Sequence, residues 1–243
     1  MTSYDFFALF LFGFLYSSYQ VFFLLAPVLG LQTREHIMAK YRVQWVEGIF
    51  KNENPLLAVQ TMRNLEMVNT FLSSMVLLMM GGVVSVFFNN PEWLKALNGQ
   101  DYADFLVSNP LPTKLLVLLL VLSISFFNFV ISLRITYNMN FSMTVPLRSE
   151  EGQTFQLDQV HRQTRYFFVG VRSLYFSTAP LLWVLHVHLF VAASLGAAMF
   201  TLRSDLFRYM PPQLYPLRNL KRATVPSASG PARKTKRSPA KKK

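Results

Sequence analysis

Residues 114–137 read KLLVLLLVLSISFFNFVISLRITY. No charged side chain stands between Lys114 and Arg134, and Leu, Val, Ile and Phe fill most of the interval. About 20 apolar residues in a helix cover the hydrocarbon core of a bilayer. Lipid offers the backbone no hydrogen-bond partners, so such a span must be helical. Three other stretches share the pattern, and together the spans fall at about 6–31, 64–88, 114–137 and 174–202. The first carries no Lys or Arg before Arg34. It therefore lacks the basic region of a cleaved leader and is read as a retained helix.

The rest of the chain agrees with this reading. Hydrophobic residues make up 52%, aromatics 15% with 23 Phe, and charged residues only 15%, against about 25% charged in an average soluble domain. An ordinary water-soluble enzyme is excluded, as is disorder throughout. There is no cysteine, which removes disulfides, thiolate metal sites and Cys nucleophiles. The fold class is all-α: a membrane-spanning four-helix bundle over residues 1–210 with amphipathic interfacial helices, then a disordered basic tail over 211–243.

Charge is uneven along the chain. Of 24 basic residues, 12 lie in 200–243 beside a single acid, Asp205, and this tail supplies most of the net +12. A basic tail attracts anionic lipid or another polyanion, and implies no specific nucleic acid recognition. Nearer the spans, Arg34, Lys40, Arg42, Lys51 and Arg63 mark the first connection, and Arg148, Arg162, Arg165 and Arg172 the third. The second connection is acidic, with Glu92, Asp101 and Asp104. Basic loops stay cytoplasmic. The N-terminus is accordingly outside, and the setting is a bacterial inner membrane. Four crossings also put the basic tail outside, in conflict with its charge.

The connections themselves have helical periodicity. Ile37, Tyr41, Trp45 and Ile49 recur every four residues. That line suits a helix lying in the membrane surface or one packed on the protein's own core, and both remain open. A second run, Phe155, Val160, Phe167 and Val171, leads into the fourth span. Asn89-Asn90-Pro91 and Asn109-Pro110 break helices on either side of the second connection.

Three strings resemble one family. They are Ala58-Val59-Gln60-Thr61-Met62-Arg63-Asn64, then Phe127-Asn128-Phe129 through Ser132-Leu133-Arg134 and Tyr137, then Gly170-Val171-Arg172-Ser173-Leu174-Tyr175-Phe176-Ser177 with Pro180-Leu181-Leu182-Trp183. Their order is that of the domain of unknown function 599 family, multi-pass membrane proteins of bacteria and plants. The resemblance covers about residues 6–200. It implies four helices and an unassigned function, and brings no substrate or catalytic residue.

Ionisable side chains in spans are the first functional candidates. Arg63, Asn64 and Glu66 open the second span, Arg134 closes the third and Arg172 opens the fourth. All fall at one expected depth, so a cluster is expected in which an arginine pairs with Glu66. Two polar stripes follow from helical spacing: Thr70 and Ser73 with Glu66, and Ser125, Asn128 and Ser132. They suit a solvated path or ordinary interhelical hydrogen bonds. His186 and His188, two residues apart on one continuous helix, would point to opposite faces and could not share a metal. Small residues Ala192, Ala193, Gly196 and Ala197, and likewise Gly81 and Ser85, allow close helix approach. No phosphate loop, zinc motif or nucleophile elbow is present. No catalytic residue, cofactor or metal is assigned, and the chain is read as non-enzymatic. Two roles stay open: an ion or small-solute conduit, which with four helices implies a homo-oligomer, or a membrane scaffold or accessory subunit of a membrane complex. The lipid bilayer is a partner in either case.

Overall fold

The computed structural model describes residues 3–25, 34–52, 55–91, 93, 95, 108–144 and 150–205. Among them are six helices and no strand: α1 (Ser3–Leu25), α2 (Arg34–Asn52), α3 (Pro55–Phe88), α4 (Pro110–Thr144), α5 (Glu150–Trp183) and α6 (Val187–Asp205). Four are long and apolar enough to cross a membrane, at Ser3–Phe23, Leu56–Phe88, Pro110–Ser142 and Val187–Asp205. The expected tail, 211–243, lies outside the described residues, as do residues 26–31 of the first expected span.

Local chemistry explains the helix ends. Asn90 Nδ2 donates to Val86 O at 2.7 Å and satisfies a carbonyl at the end of α3. Pro110 begins α4, where its missing N–H costs nothing. The expected continuous span over 174–202 is corrected: the chain turns at 184–186. Pro180 removes the N–H that would bond the carbonyl one turn earlier. The helix ends three residues later, and His186 N–H reaches back to Leu182 O at 3.1 Å.

This turn changes the architecture. α5 runs antiparallel to α4 along its length, with Ser132 Oγ bonded to Gln163 O at 3.2 Å, Ser125 Oγ to Gly170 O at 2.8 Å, and Lys114 Nζ to Trp183 O at 2.9 Å. α6 then runs back beside α5 and α1. Trp183 fixes this end of the bundle. Its indole N–H donates to Asp5 Oδ1 at 3.0 Å, and its ring stacks on Phe190 with centroids 4.5 Å apart. The chain therefore reaches Asp205 at the α2 side of the bundle, away from the Trp183 end. The C-terminal half of α5 carries one charge, Arg172, and joins the four apolar helices in the bundle.

α2 packs on the protein. Val46 is buried in one cluster with Met62, Ile135, Met139 and Val160. Trp45 packs beside it, and Tyr41 and Ile49 are half-buried, while the side chain of Ile37 lies outside the described residues. On α5, Val160, Phe167 and Val171 pack inward but Phe155 is exposed. The outward faces of α1 and α3 expose large apolar side chains such as Phe10, Phe71 and Leu78, as lipid contact requires.

Candidate functional site

The amphipathic α2 covers a gap that the long helices leave between them. Where α2, α3, α4, α5 and α6 meet there is a cavity of about 720 Å³. Most of its wall is apolar, with Trp45, Met62, Met139, Phe167, Phe168 and Phe200 among its lining residues. Polar side chains gather at Arg42, Gln163, Thr164 and the group of Arg172, Ser204 and Asp205.

Arg172 is the buried charge of this group, at 3% exposure. Its Nε donates to Asp205 Oδ2 at 2.9 Å. The Tyr19 hydroxyl donates to the same oxygen. The guanidinium carbon lies 3.3 Å from the ring centroid of Phe23 and 5.7 Å from that of Phe168. A charge inside a membrane bundle is stable only with such partners, and the planar guanidinium is suited to aromatic faces. Arg172 Nη1 is buried with no hydrogen-bond partner among the described residues.

The expected cluster is not assembled. Glu66 accepts from Asn140 Nδ2 at 3.3 Å, and no described arginine pairs with it. Arg63, Asn64 and Arg134 are exposed. Depth accounts for the separation. Asn140 lies 26 residues beyond Lys114, which meets Trp183, or ~39 Å of helix. Tyr19 lies 14 residues beyond Asp5, which also meets Trp183, or ~21 Å. Glu66 and the Arg172–Asp205 pair thus occupy levels about 18 Å apart.

The polar stripes are also redistributed. Thr70 is exposed, and the buried Ser73 bonds Thr70 O of its own helix at 3.0 Å. The inward residue of α3 is Asn69, whose Nδ2 donates to Ser132 Oγ at 2.8 Å. Ser125 and Ser132 face α5, while Asn128 bonds Ile124 O of its own helix at 2.7 Å. Of the two options the stripes left open, interhelical hydrogen bonding describes Ser125 and Ser132. The turn at 184–186 also brings the rings of His186 and His188 within 5.0 Å, correcting the expectation of opposite faces. They supply only two ligands, and no group of three or more metal-binding side chains occurs among the described residues. Ala193 and Ala197 pack against the α1 side of the core.

Sequence reasoning missed Asp205, Tyr19, Asn69 and Gln163. Asp205 had a signal, since it is the one acid in an otherwise basic stretch that ends an apolar helix. Pro180 was the corresponding signal for the turn.

No curated protein and no solved structure matches the chain. A family model described as protein of unknown function, DUF599, matches residues 7–209, a region that reaches all six helices and the cavity between them. The chain belongs to this DUF599 family.

Proposed function

We propose that this protein is a non-enzymatic membrane protein that binds an amphipathic molecule in the cavity beneath α2. The observation that carries the reading is the cavity itself. Its volume of about 720 Å³ lies within the usual range of ligand sites, and its apolar wall with a few convergent polar groups has the usual character of one. A buried arginine at its edge adds a functional marker, because intramembrane charge is costly and is kept where it has a task.

The proposed setting is a bacterial inner membrane with the N-terminus outside. If α5 and α6 are successive crossings, the basic connections around Arg34–Arg63 and Arg148–Arg165 and the end of α6 all face the cytoplasm. The charge conflict of a four-crossing chain then disappears.

An oligomeric ion or small-solute conduit is less well supported. It relied on a charged layer around Glu66 and on polar stripes facing a path. Glu66 instead takes Asn140, and Ser125 and Ser132 take partners on α5. A scaffold role needs no cavity, and for it the Arg172–Asp205 pair would serve only to join α5 to α6.

The test is to purify the full chain from its membranes in a neutral detergent and quantify retained amphiphile by mass spectrometry. Thr164→Phe places a larger side chain in the cavity wall. The wild type should carry a stoichiometric amphiphile and the variant little, with the melting temperature maintained. A wild type that carries no more than Thr164→Phe overturns the proposal.

A further inference from the structure

We infer that the cavity's ligand is anionic: an amphiphile whose carboxylate or phosphate head is received by Arg172. This rests on the cavity being a ligand site and adds the charge of the head and the residue that reads it.

The first support is the unfinished coordination of Arg172. A guanidinium offers five N–H donors in one plane. Asp205 engages Nε from one side at 2.9 Å, and Nη1 is buried with no partner among the described residues. Buried donors without acceptors are costly, and more so on a charged group. The Phe23 ring at 3.3 Å covers one face of the guanidinium. A further partner therefore approaches in the plane, on the Nη side, where two acidic oxygens match two parallel donors.

The partner that completes Arg172 shares it with Asp205. Asp205 remains supported when Arg172 shares its donors, because the Tyr19 hydroxyl also bonds Oδ2 and Ser204 Oγ lies 3.5 Å from Oδ1.

The wall then selects an amphiphile over a small anion. Lining residues on α5 extend from Val160 to Tyr175, ~22 Å of helix. Trp45, Met62, Met139, Phe167 and Phe200 supply apolar surface along the cavity. A free phosphate ion leaves that surface against water, while an apolar chain removes it from water.

The experiment titrates the full chain in neutral detergent with palmitate and with hexadecanol, which share a chain and differ in head charge. Phosphatidylglycerol and inorganic phosphate are run in parallel, and binding is read by native mass spectrometry and by the shift in melting temperature. Palmitate should bind on the order of tenfold or more tightly than hexadecanol, as expected for hydrogen bonds to a charged group. Arg172→Gln should abolish that preference. Asp205→Asn removes the competing carboxylate, so it should strengthen palmitate binding and enlarge the palmitate-induced melting shift. If Arg172→Gln fails to fold, Asp205→Asn decides: a palmitate affinity that falls toward that of hexadecanol overturns the inference. Phosphatidylglycerol binding above palmitate assigns the head to a membrane phospholipid, and binding below it to a free fatty acid; either sustains the inference. Inorganic phosphate bound as tightly as palmitate refutes an amphiphile. Equal binding of palmitate and hexadecanol refutes the anionic head but leaves the cavity as a site. If no amphiphile binds, and Thr164→Phe behaves as wild type, the cavity reading itself is lost.

Discussion

Gly170 lies where α5 passes closest to Phe129 of α4. A methyl group at this position would lie 2.9 Å from Phe129 Cδ1 and Cε1 and 3.2 Å from Cζ, well inside the ~3.5–4.0 Å optimum for carbon pairs. Phe129 is fully buried and packs against Phe167, with ring centroids 6.0 Å apart, so it has no open space to enter. Separating the helices would stretch the 2.8 Å bond from Ser125 Oγ to Gly170 O. Overpacking of this kind costs about 1–3 kcal/mol. Alanine in place of glycine returns about 1 kcal/mol of helix propensity. Gly170→Ala should therefore lower stability by about 0–2 kcal/mol. Its diagnostic is coupling. Phe129→Leu relieves the clash, so the double variant should be more stable than the two singles predict, by about 1 kcal/mol or more. Equilibrium unfolding in mixed micelles measures all four proteins. If Gly170→Ala is stabilised by the full propensity gain and shows no coupling to Phe129→Leu, the close α4–α5 approach is wrong.

Other consequences are open to similar measurement. Lys114→Met removes the 2.9 Å bond to Trp183 O and the ammonium 5.5 Å from the indole centroid, and should cost about 1–3 kcal/mol in an unfolding titration; an unchanged midpoint would mean the turn does not depend on it. Gln156 is fully buried with neither amide atom hydrogen-bonded among the described residues, so Gln156→Met should raise stability by about 1 kcal/mol, and a fall in melting temperature would count against that placement. Asn69→Ala removes the bond to Ser132 and should cost about 0.6 kcal/mol, the average for interhelical bonds in membranes; a loss of several kcal/mol would mean Asn69 does more than join two helices. For topology, a phosphatase that is active only outside the inner membrane should be active when inserted at Asn109 and inactive when fused to the C-terminus. Activity at the C-terminus would overturn the proposal that α5 and α6 are successive crossings.

Uninterrupted apolar runs made the helices legible, because lipid leaves the backbone no alternative. The turn after Trp183 was not legible in hydropathy: Leu181, Leu182, Val184 and Leu185 keep the run apolar across it. What holds the turn is distant in sequence, with Asp5 and Lys114 both meeting Trp183. Arg172 was recognisable as a costly intramembrane charge, but its acid proved to be Asp205, placed beside it by α6 running back along α5. The stripe on α3 failed by one residue. Successive positions on a helix differ by about 100°, enough to turn Asn69 inward and Thr70 outward. Periodicity gave the α2 line its helix, but only the packing of Val46 against Met62 and Met139 chooses the protein's core over the membrane surface.

The most direct test of the account is photo-crosslinking of the full chain with a diazirine-bearing palmitate, mapped by peptide mass spectrometry. The account predicts adducts concentrated on cavity residues of α5 and α6, such as Phe167, Phe168 and Thr201. Unlabelled palmitate should compete for these adducts, and Arg172→Gln should diminish them. Adducts spread over the outward faces of α1 and α3, at residues such as Phe10 and Phe71, and insensitive to competition would contradict it.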